Sequence, residues 1–288
     1  MSKKYLFVGN RFYVLEKMIE LKLNIVKIFA VENSHLEKEL ISRKIEYELL
    51  PEKSEFIKIL SELSFDFLVS NGCPYILPIS KLDNGKSFIN IHPSLLPDLK
   101  GKTPINGALL FNRRHGVTCH YMNDEIDGGD VLSQIEIPLT ADVNLDLLYQ
   151  VSFRMEGLVF EKAYKNGFKV IASINAVEDP IYYSKKLEDR ILYFEDGFDI
   201  ICSKVKAFCS EGQFAILYNN SISYEVIDLT IIENDAVVKL FENHKIENII
   251  YMVYGNQYVL VRLWGRLVQV KIKNTKGLEV GSQFLQSK

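Results

Sequence analysis

Short apolar runs and amphipathic stretches alternate along the first half of the chain. Tyr5 to Val8 is an apolar run closed by Gly9, and residues 12 to 22 then place Phe12, Leu15, Met18 and Ile19 at helical spacing. Ile25 to Val31 is again strand-like, and a polar helical stretch follows from Ser34. A helix is expected over residues 54 to 64 with Ser54 as its N-cap. Asp66 to Ser70 is a strand ending at Asn71-Gly72, and Ser87 to Ile91 is a strand running directly into His92. A loop punctuated by Pro and Gly leads to a short helix, Ile105 to Phe111, with Pro104 near its first turn. Strands at Val117 to Met122 and Val131 to Ile137 and a helix from about 143 to 166 complete this half.

Strands alternating with helices at this interval predict an α/β domain around a mostly parallel sheet, with helices on both faces. Ligands of such sheets sit beyond the carboxyl ends of the strands. Asn71, Asn90, His92 and Asn123 are therefore expected on one rim. From about residue 180 the pattern changes to short alternating runs at 214–217, 224–229, 248–252, 258–263 and 267–272. Turn signals such as Tyr218-Asn219-Asn220 and Trp264-Gly265-Arg266 separate them, which predicts a small antiparallel β domain, a partly open barrel. The expected division is residues 1–178 and 179–288.

Composition narrows the function more than the fold. The chain has 288 residues, 48% of them hydrophobic, with a net charge of −3, so no general basic field attracts nucleic acid. Four cysteines are too sparse for a disulfide framework and too scattered for a zinc site, and read as reduced thiols. The apolar run after the basic start is too short for a signal peptide, and no window approaches a membrane span. The expected location is the cytoplasm, with no membrane partner and no metal.

The chemistry concentrates between residues 90 and 130. Asn90 and His92 lie two apart on one strand, so both side chains point into one crevice. Two such groups are costly to bury unless something hydrogen-bonds them; a site supplies such partners, and a structural histidine with partners in the core is the alternative. Asp127, in Glu125-Ile126-Asp127-Gly128-Gly129-Asp130, is either part of an ordinary polar turn or a carboxylate that orients the His ring; the loop alone leaves both open. Together the three supply an amide donor, an acid/base and an orienting carboxylate. The loop from Ser94 to Pro104 holds Lys100 and Lys102, either as a solvated connector or as a substrate-enclosing loop that meets a phosphate or carboxylate. Gly9-Asn10-Arg11 lacks a dinucleotide fingerprint but could bind an anion at a helix start. His35, His115, His120 and His244 have no companions at ligand spacing and read as surface or core residues.

Taken together these residues resemble the N10-formyltetrahydrofolate-dependent formyltransferases, most of all those acting on sugar nucleotides. The resemblance runs in order through Asn90, His92, Ser94, Leu95, Leu96, Pro97, Gly101, Pro104, Gly116-Val117-Thr118 and Asp127-Gly128-Gly129-Asp130. The His-to-Asp interval is one residue shorter than the family pattern, a difference placed in the loop Asn112 to His115. The resemblance implies a Rossmann-like catalytic domain and, on Val205 to Phe208 and Gly212 to Phe214, an OB-like C-terminal domain. It also implies Asn90, His92 and Asp127 as catalytic residues and N10-formyltetrahydrofolate as the formyl donor. Tyr75, Ile76, Leu77, Lys102, Asn123, Asp124, Glu125, Ile126 and Asp127 would then contact the folate, and Asn10, Arg11, Ser94 and Lys100 the acceptor.

Family membership leaves the acceptor to other features. A reader of tRNA is expected to carry a basic face. From residue 178 onward there are 13 Lys and Arg against 15 Asp and Glu, a net of −2. Glycinamide ribonucleotide enzymes usually lack so large a β domain. The expected acceptor is thus a nucleotide-linked amino sugar, as used for lipopolysaccharide O-antigen and other surface polysaccharides. Methionyl-tRNA formyltransferase and formyltetrahydrofolate hydrolase are the alternatives; the hydrolase usually carries an N-terminal regulatory domain for which this chain has no room. No nucleic-acid partner is expected, and a homodimer is left open.

Overall fold

The structure is a computed structural model that describes residues 2–173, 180–219 and 222–284. The chain divides into two compact units, one of Met1–Pro104, Arg114–Leu139 and Tyr149–Tyr183, the other of Ile105–Arg113, Thr140–Leu148 and Ser184–Lys288. The boundary expected at 178/179 lies outside the described residues.

Among the described residues, the first half of the chain supplies seven strands and six helices. In chain order they are β1 (Lys4–Gly9), α1 (Tyr13–Glu20), β2 (Asn24–Ala30), α2 (His35–Arg43), β3 (Glu48–Leu49), α3 (Lys53–Glu62) and β4 (Phe67–Asn71). They continue as α4 (Ile79–Leu82), β5 (Ser87–His92), α5 (Pro104–Leu110), β6 (Gly116–Tyr121), β7 (Val131–Glu136) and α6 (Leu145–Lys165). The sheet order is β3-β2-β1-β4-β5-β6-β7. β1 to β5 pair in parallel, whereas β5–β6 and β6–β7 pair antiparallel. β1, β4 and β6 are buried along almost their whole length, which requires cover on both faces of the sheet.

Local chemistry sets most element ends. Ser34 caps α2 by accepting from the Glu37 N–H. α3 instead begins at Lys53 with Glu52 at its N-cap, so Ser54 sits inside the helix. Pro104 opens α5, where its missing N–H costs nothing. Asn144 accepts from the Leu147 N–H at the start of α6. One core of this unit gathers Leu6, Val8, Phe29, Phe56, Leu60, Leu68, Leu77 and Phe88, and so locks α3 and the loop after β4 onto the sheet.

The second unit contains α7 (Phe198–Ala207), β8 (Ala215–Asn219), β9 (Ile222–Ile231), α8 (Asp235–Leu240), β10 (Ile250–Tyr254), β11 (Tyr258–Leu263) and β12 (Arg266–Ile272). Its strands form an antiparallel five-stranded sheet in the order β10-β11-β12-β9-β8. Alternate residues of β11 and β12 (Val259, Val261 and Leu263; Val268, Val270 and Ile272) face a core shared with Ile201, Val205 and Phe208. Among the described residues no helix is long and apolar enough to cross a membrane.

Candidate active site

A cavity of about 410 Å³ opens in the first unit beside the ends of β1, β4 and β5. Asn10 and Arg11 follow β1, Gly72 to Leu77 follow β4, and Asn90 to Pro93 bring in β5. Gly101, Lys102, Pro104 and Tyr182 line it as well, together with His120 and the segment Met122, Asn123, Glu125, Ile126 and Asp127. β6 runs antiparallel to β5, so its carboxyl end does not fall on the rim of the parallel strands. Asn123 still reaches the cavity, because the loop leaving β6 turns back over it.

Hydrogen bonds fix the state of each group at the centre. The His92 ring is buried, and its Nε2 lies 3.0 Å from the Leu99 carbonyl oxygen. A carbonyl only accepts, so Nε2 carries a proton and Nδ1 keeps the lone pair. Nδ1 faces Asp127 Oδ1 at 3.6 Å, close enough for the carboxylate to stabilise an imidazolium. The other oxygen of Asp127 accepts the Gly101 N–H at 3.0 Å, which ties the two loops together. Asp127 itself sits at φ 48°, and the chain then passes under β6 at Gly129. A Cβ there would stand 1.9 Å from the Tyr121 carbonyl oxygen, so only glycine fits.

His120, read from the sequence as an isolated histidine, belongs to this group. It pairs with Asn90 across the β5–β6 ladder, and cross-strand partners share a face. Its Nδ1–H donates to the Tyr121 carbonyl at 2.7 Å, which leaves a lone pair on Nε2. Asn90 Nδ2 donates to that lone pair at 3.2 Å. Burial drives the His120 pKa down to about 4, against the opposing pull of Asp127, so the ring stays a neutral acceptor at working pH. The sequence signal was Thr118-Cys119-His120, a period-two placement of Thr and His that gains meaning only once the register with Asn90 and His92 is known. Thr118, opposite His92, braces the turn after it by donating to the Ser94 carbonyl and accepting from the Leu96 N–H.

The remaining expected residues divide. Tyr75, Ile76, Leu77, Lys102, Asn123, Glu125 and Ile126 line the cavity with Asp127, and so do Asn10 and Arg11. Asp124 does not; its carboxylate accepts the Ser80 N–H and caps α4 from outside. Ser94 is fully buried and donates to the Asp98 carbonyl, and Lys100 pairs by its backbone with Ile181 and Tyr183. Neither Ser94 nor Lys100 lines the cavity. Among the described residues no group of three His, Cys, Asp or Glu is placed to hold a metal ion.

Residues 29–163 match the family model described as formyl transferase. The chain is 28% identical over 237 residues to the methionyl-tRNA formyltransferase of Syntrophus aciditrophicus, covering 80% of this chain and 73% of that one. It spans about half (52%) of the length of the corresponding protein of Ehrlichia canis, at 34% identity. Among solved structures, a sugar 3-N-formyltransferase determined with dTDP and 5-N-formyl-tetrahydrofolate superposes with a TM-score of 0.71 at 17% identity, covering 95% of this chain and 98% of that one. An N-formyltransferase of Helicobacter canadensis, determined with folinic acid and dTDP-3-aminofucose, gives 0.69 at 16% identity, covering 94% and 100%. At these identities the two superpositions speak for the fold.

Proposed function

We propose that the chain, whose residues 29–163 match the formyl transferase family model, moves the formyl group of N10-formyltetrahydrofolate onto the primary amine of a nucleotide-linked amino sugar. The observation that carries the reading is the convergence of Asn90, His92 and Asp127, with His120 behind them, on one wall of the cavity.

The cavity suits the donor. Ile76 and Ile126 leave apolar surface open at the lining, 56% and 38% exposed, which suits a flat ring system. The backbone of Tyr75 to Leu77 and the polar groups of Asn123 and Glu125 would fix its orientation. When bound, the donor supplies the carbonyl carbon that a neutral amine attacks. The N–H of Asn90 not engaged by His120 is then available to the negative charge developing on the oxygen. His92 accepts the amine's proton at Nδ1, Asp127 stabilises the cation so formed, and His92 would return that proton to the folate nitrogen as its bond to the formyl carbon breaks and tetrahydrofolate leaves. The bond from Nε2 to Leu99 keeps the ring aligned in both protonation states.

The sugar acceptor is supported by the dTDP-bound proteins whose fold the chain shares over nearly its whole length. The net charge of −2 from residue 178 onward points the same way. Such a product would serve as a building block for surface polysaccharide. The curated sequence relatives favour a second reading, methionyl-tRNA formylation. The test is to follow tetrahydrofolate release with a panel of nucleotide-linked amino sugars and with charged initiator tRNA. Turnover on at least one sugar, well above that on tRNA, is expected. A higher rate on the tRNA than on every sugar would reject the proposal, and release without any amine would make the protein a hydrolase.

A further inference from the structure

By sequence Arg11 is a candidate anion contact, but its charge is already matched. Its Nε and Nη2 donate to the two oxygens of Glu156 on α6 at 2.7 and 2.8 Å. The Glu156 side chain is fully buried, and the Arg11 guanidinium also lies over the Phe153 ring at 4.5 Å. Burial pushes the Glu156 pKa up; Arg11 is the strongest force holding it ionised, and the carboxamide of Asn71 stands beside it without reaching hydrogen-bond geometry. A buried pair with this bidentate geometry is a fixed structural element, and either half alone would be an uncompensated charge. The cavity wall that Arg11 forms is therefore close to neutral, and an acceptor's diphosphate gains little there.

The pair does something else. The third edge of the guanidinium, Nη1, donates to Asn10 Oδ1 at 3.0 Å. A guanidinium only donates, so the atom facing it must be the carboxamide oxygen, and the NH2 of Asn10 is turned the other way. Asn10 lines the cavity, and among the described residues that NH2 has no protein partner. The orientation is also enforced from below. Asn10 N–H donates to the Asn71 carbonyl at 3.0 Å, and Gly72 at φ +80° passes so close that a Cβ would stand 2.1 Å from Asn10 Oδ1. Asn10 cannot drop away from the wall, and Arg11 keeps its amide from flipping. In the sheet, β4 separates Asn10 from Asn90 and His92, whereas the loops assigned to the folate follow β4 and β6. Asn10 lies beyond β4 from that pair and outside the residues assigned to the folate, and so is open to the second substrate.

We propose that Asn10 is a specificity-determining contact whose NH2, aimed by the buried Arg11–Glu156 pair, donates a hydrogen bond to a neutral oxygen of the acceptor, a hydroxyl of the amino sugar. Arg11 and Glu156 are positioning residues. The assignment rests on the sugar-acceptor reading, and the two fail differently.

The test is steady-state kinetics of Asn10→Asp and Arg11→Lys beside the wild type, with the acceptor and the folate varied in turn. Asn10→Asp keeps the side-chain shape and the bond to Arg11 but replaces the cavity-facing NH2 with an oxygen. The acceptor KM should rise about tenfold or more, the worth of one hydrogen bond to a site group. The folate KM and kcat at saturation should stay near wild type. Arg11→Lys loses the fork that holds both Glu156 and Asn10, and its acceptor KM should rise while its folate KM does not; a thermal melt confirms that it is folded. Acceptors lacking one hydroxyl at a time complete the test: one of them should be poor for the wild type and no worse than its parent for Asn10→Asp. An unchanged acceptor KM in Asn10→Asp, or a rise confined to the folate KM, overturns the assignment. If the wild type formylates only charged tRNA, the sugar hydroxyl falls with the sugar-acceptor reading. Wild-type turnover on sugars with no effect of Asn10→Asp removes this inference and leaves that reading standing.

Discussion

In the proposed reaction Asn90 acts through whichever end of its carboxamide faces the cavity. The two ends are nearly equal in size, so packing alone does not choose between them. The choice is made by His120, whose Nδ1–H is committed to the Tyr121 carbonyl and whose Nε2 can therefore only accept. Without the ring, the amide can rotate and present its oxygen to a developing negative charge. His120→Ala should then lower kcat by about 10- to 100-fold, somewhat less than outright loss of an oxyanion donor, with little change in the folate KM. His120→Ala with wild-type kcat would show that Asn90 is held by something else. The effect should not add to that of Asn90→Ala, because the ring acts through the amide.

On the scale of elements, the loop from β6 to β7 decides whether Asp127 reaches His92. Gly129 passes beneath the Tyr121 carbonyl with no room for a Cβ, and Asp127 lies two residues before it. Gly129→Ala must push the loop outward, lengthening the 3.6 Å separation between Asp127 Oδ1 and His92 Nδ1. A kcat reduced at least tenfold is expected, since a displacement near 1 Å at a catalytic group can cost about 10²-fold. A Gly129→Ala enzyme with full activity would mean the loop adjusts without moving the carboxylate. The same region shows what the sequence could and could not convey. The βα alternation from Tyr5 to Ile91 was legible because each run is bounded by its own turn and capping residues, and Asn90 and His92 were legible because period two puts them on one face. The alternation does not by itself give the direction of β6 and β7. Yet the stretch from Met122 to Asp130 is too short for a crossover helix, and a parallel return needs about a dozen residues or more. His120 was missed because its role depends on strand register, a long-range property that spacing along the chain does not encode. The neutralisation of Arg11 was missed for the same reason: Glu156 lies on α6, far away in sequence.

For the molecule as a whole, buried histidines set how its stability depends on pH. His115 is fully enclosed, with Nε2 2.7 Å from Ser152 Oγ, and burial lowers its pKa from 6.5 to about 4, with His92 adding to the effect. His120 is lowered to about 4 as well. Each ring is neutral in the folded protein at neutral pH. Below pH 6.5 the unfolded chain takes up a proton that the folded chain refuses, so stability falls as pH drops from about 6.5 toward 4. Below about 4 the folded protein binds the proton too, and this contribution stops growing. For His115 the full effect is on the order of 3 kcal/mol, because each tenfold loss of proton affinity is worth about 1.4 kcal/mol. His115→Gln keeps a polar partner for Ser152 but cannot titrate, and it should flatten the loss of stability between pH 7 and pH 5. The readout must come from the first unit. The single tryptophan, Trp264, packs with Phe194 and Phe198 in the second, so its fluorescence reports the wrong one. Hydrogen exchange of peptides spanning β5 and β6 is the suitable measurement, since their amides are protected by the ladder in which His120 lies and which His115 immediately precedes. Protection that falls as steeply with acid in His115→Gln as in the wild type would assign the acid sensitivity to other groups.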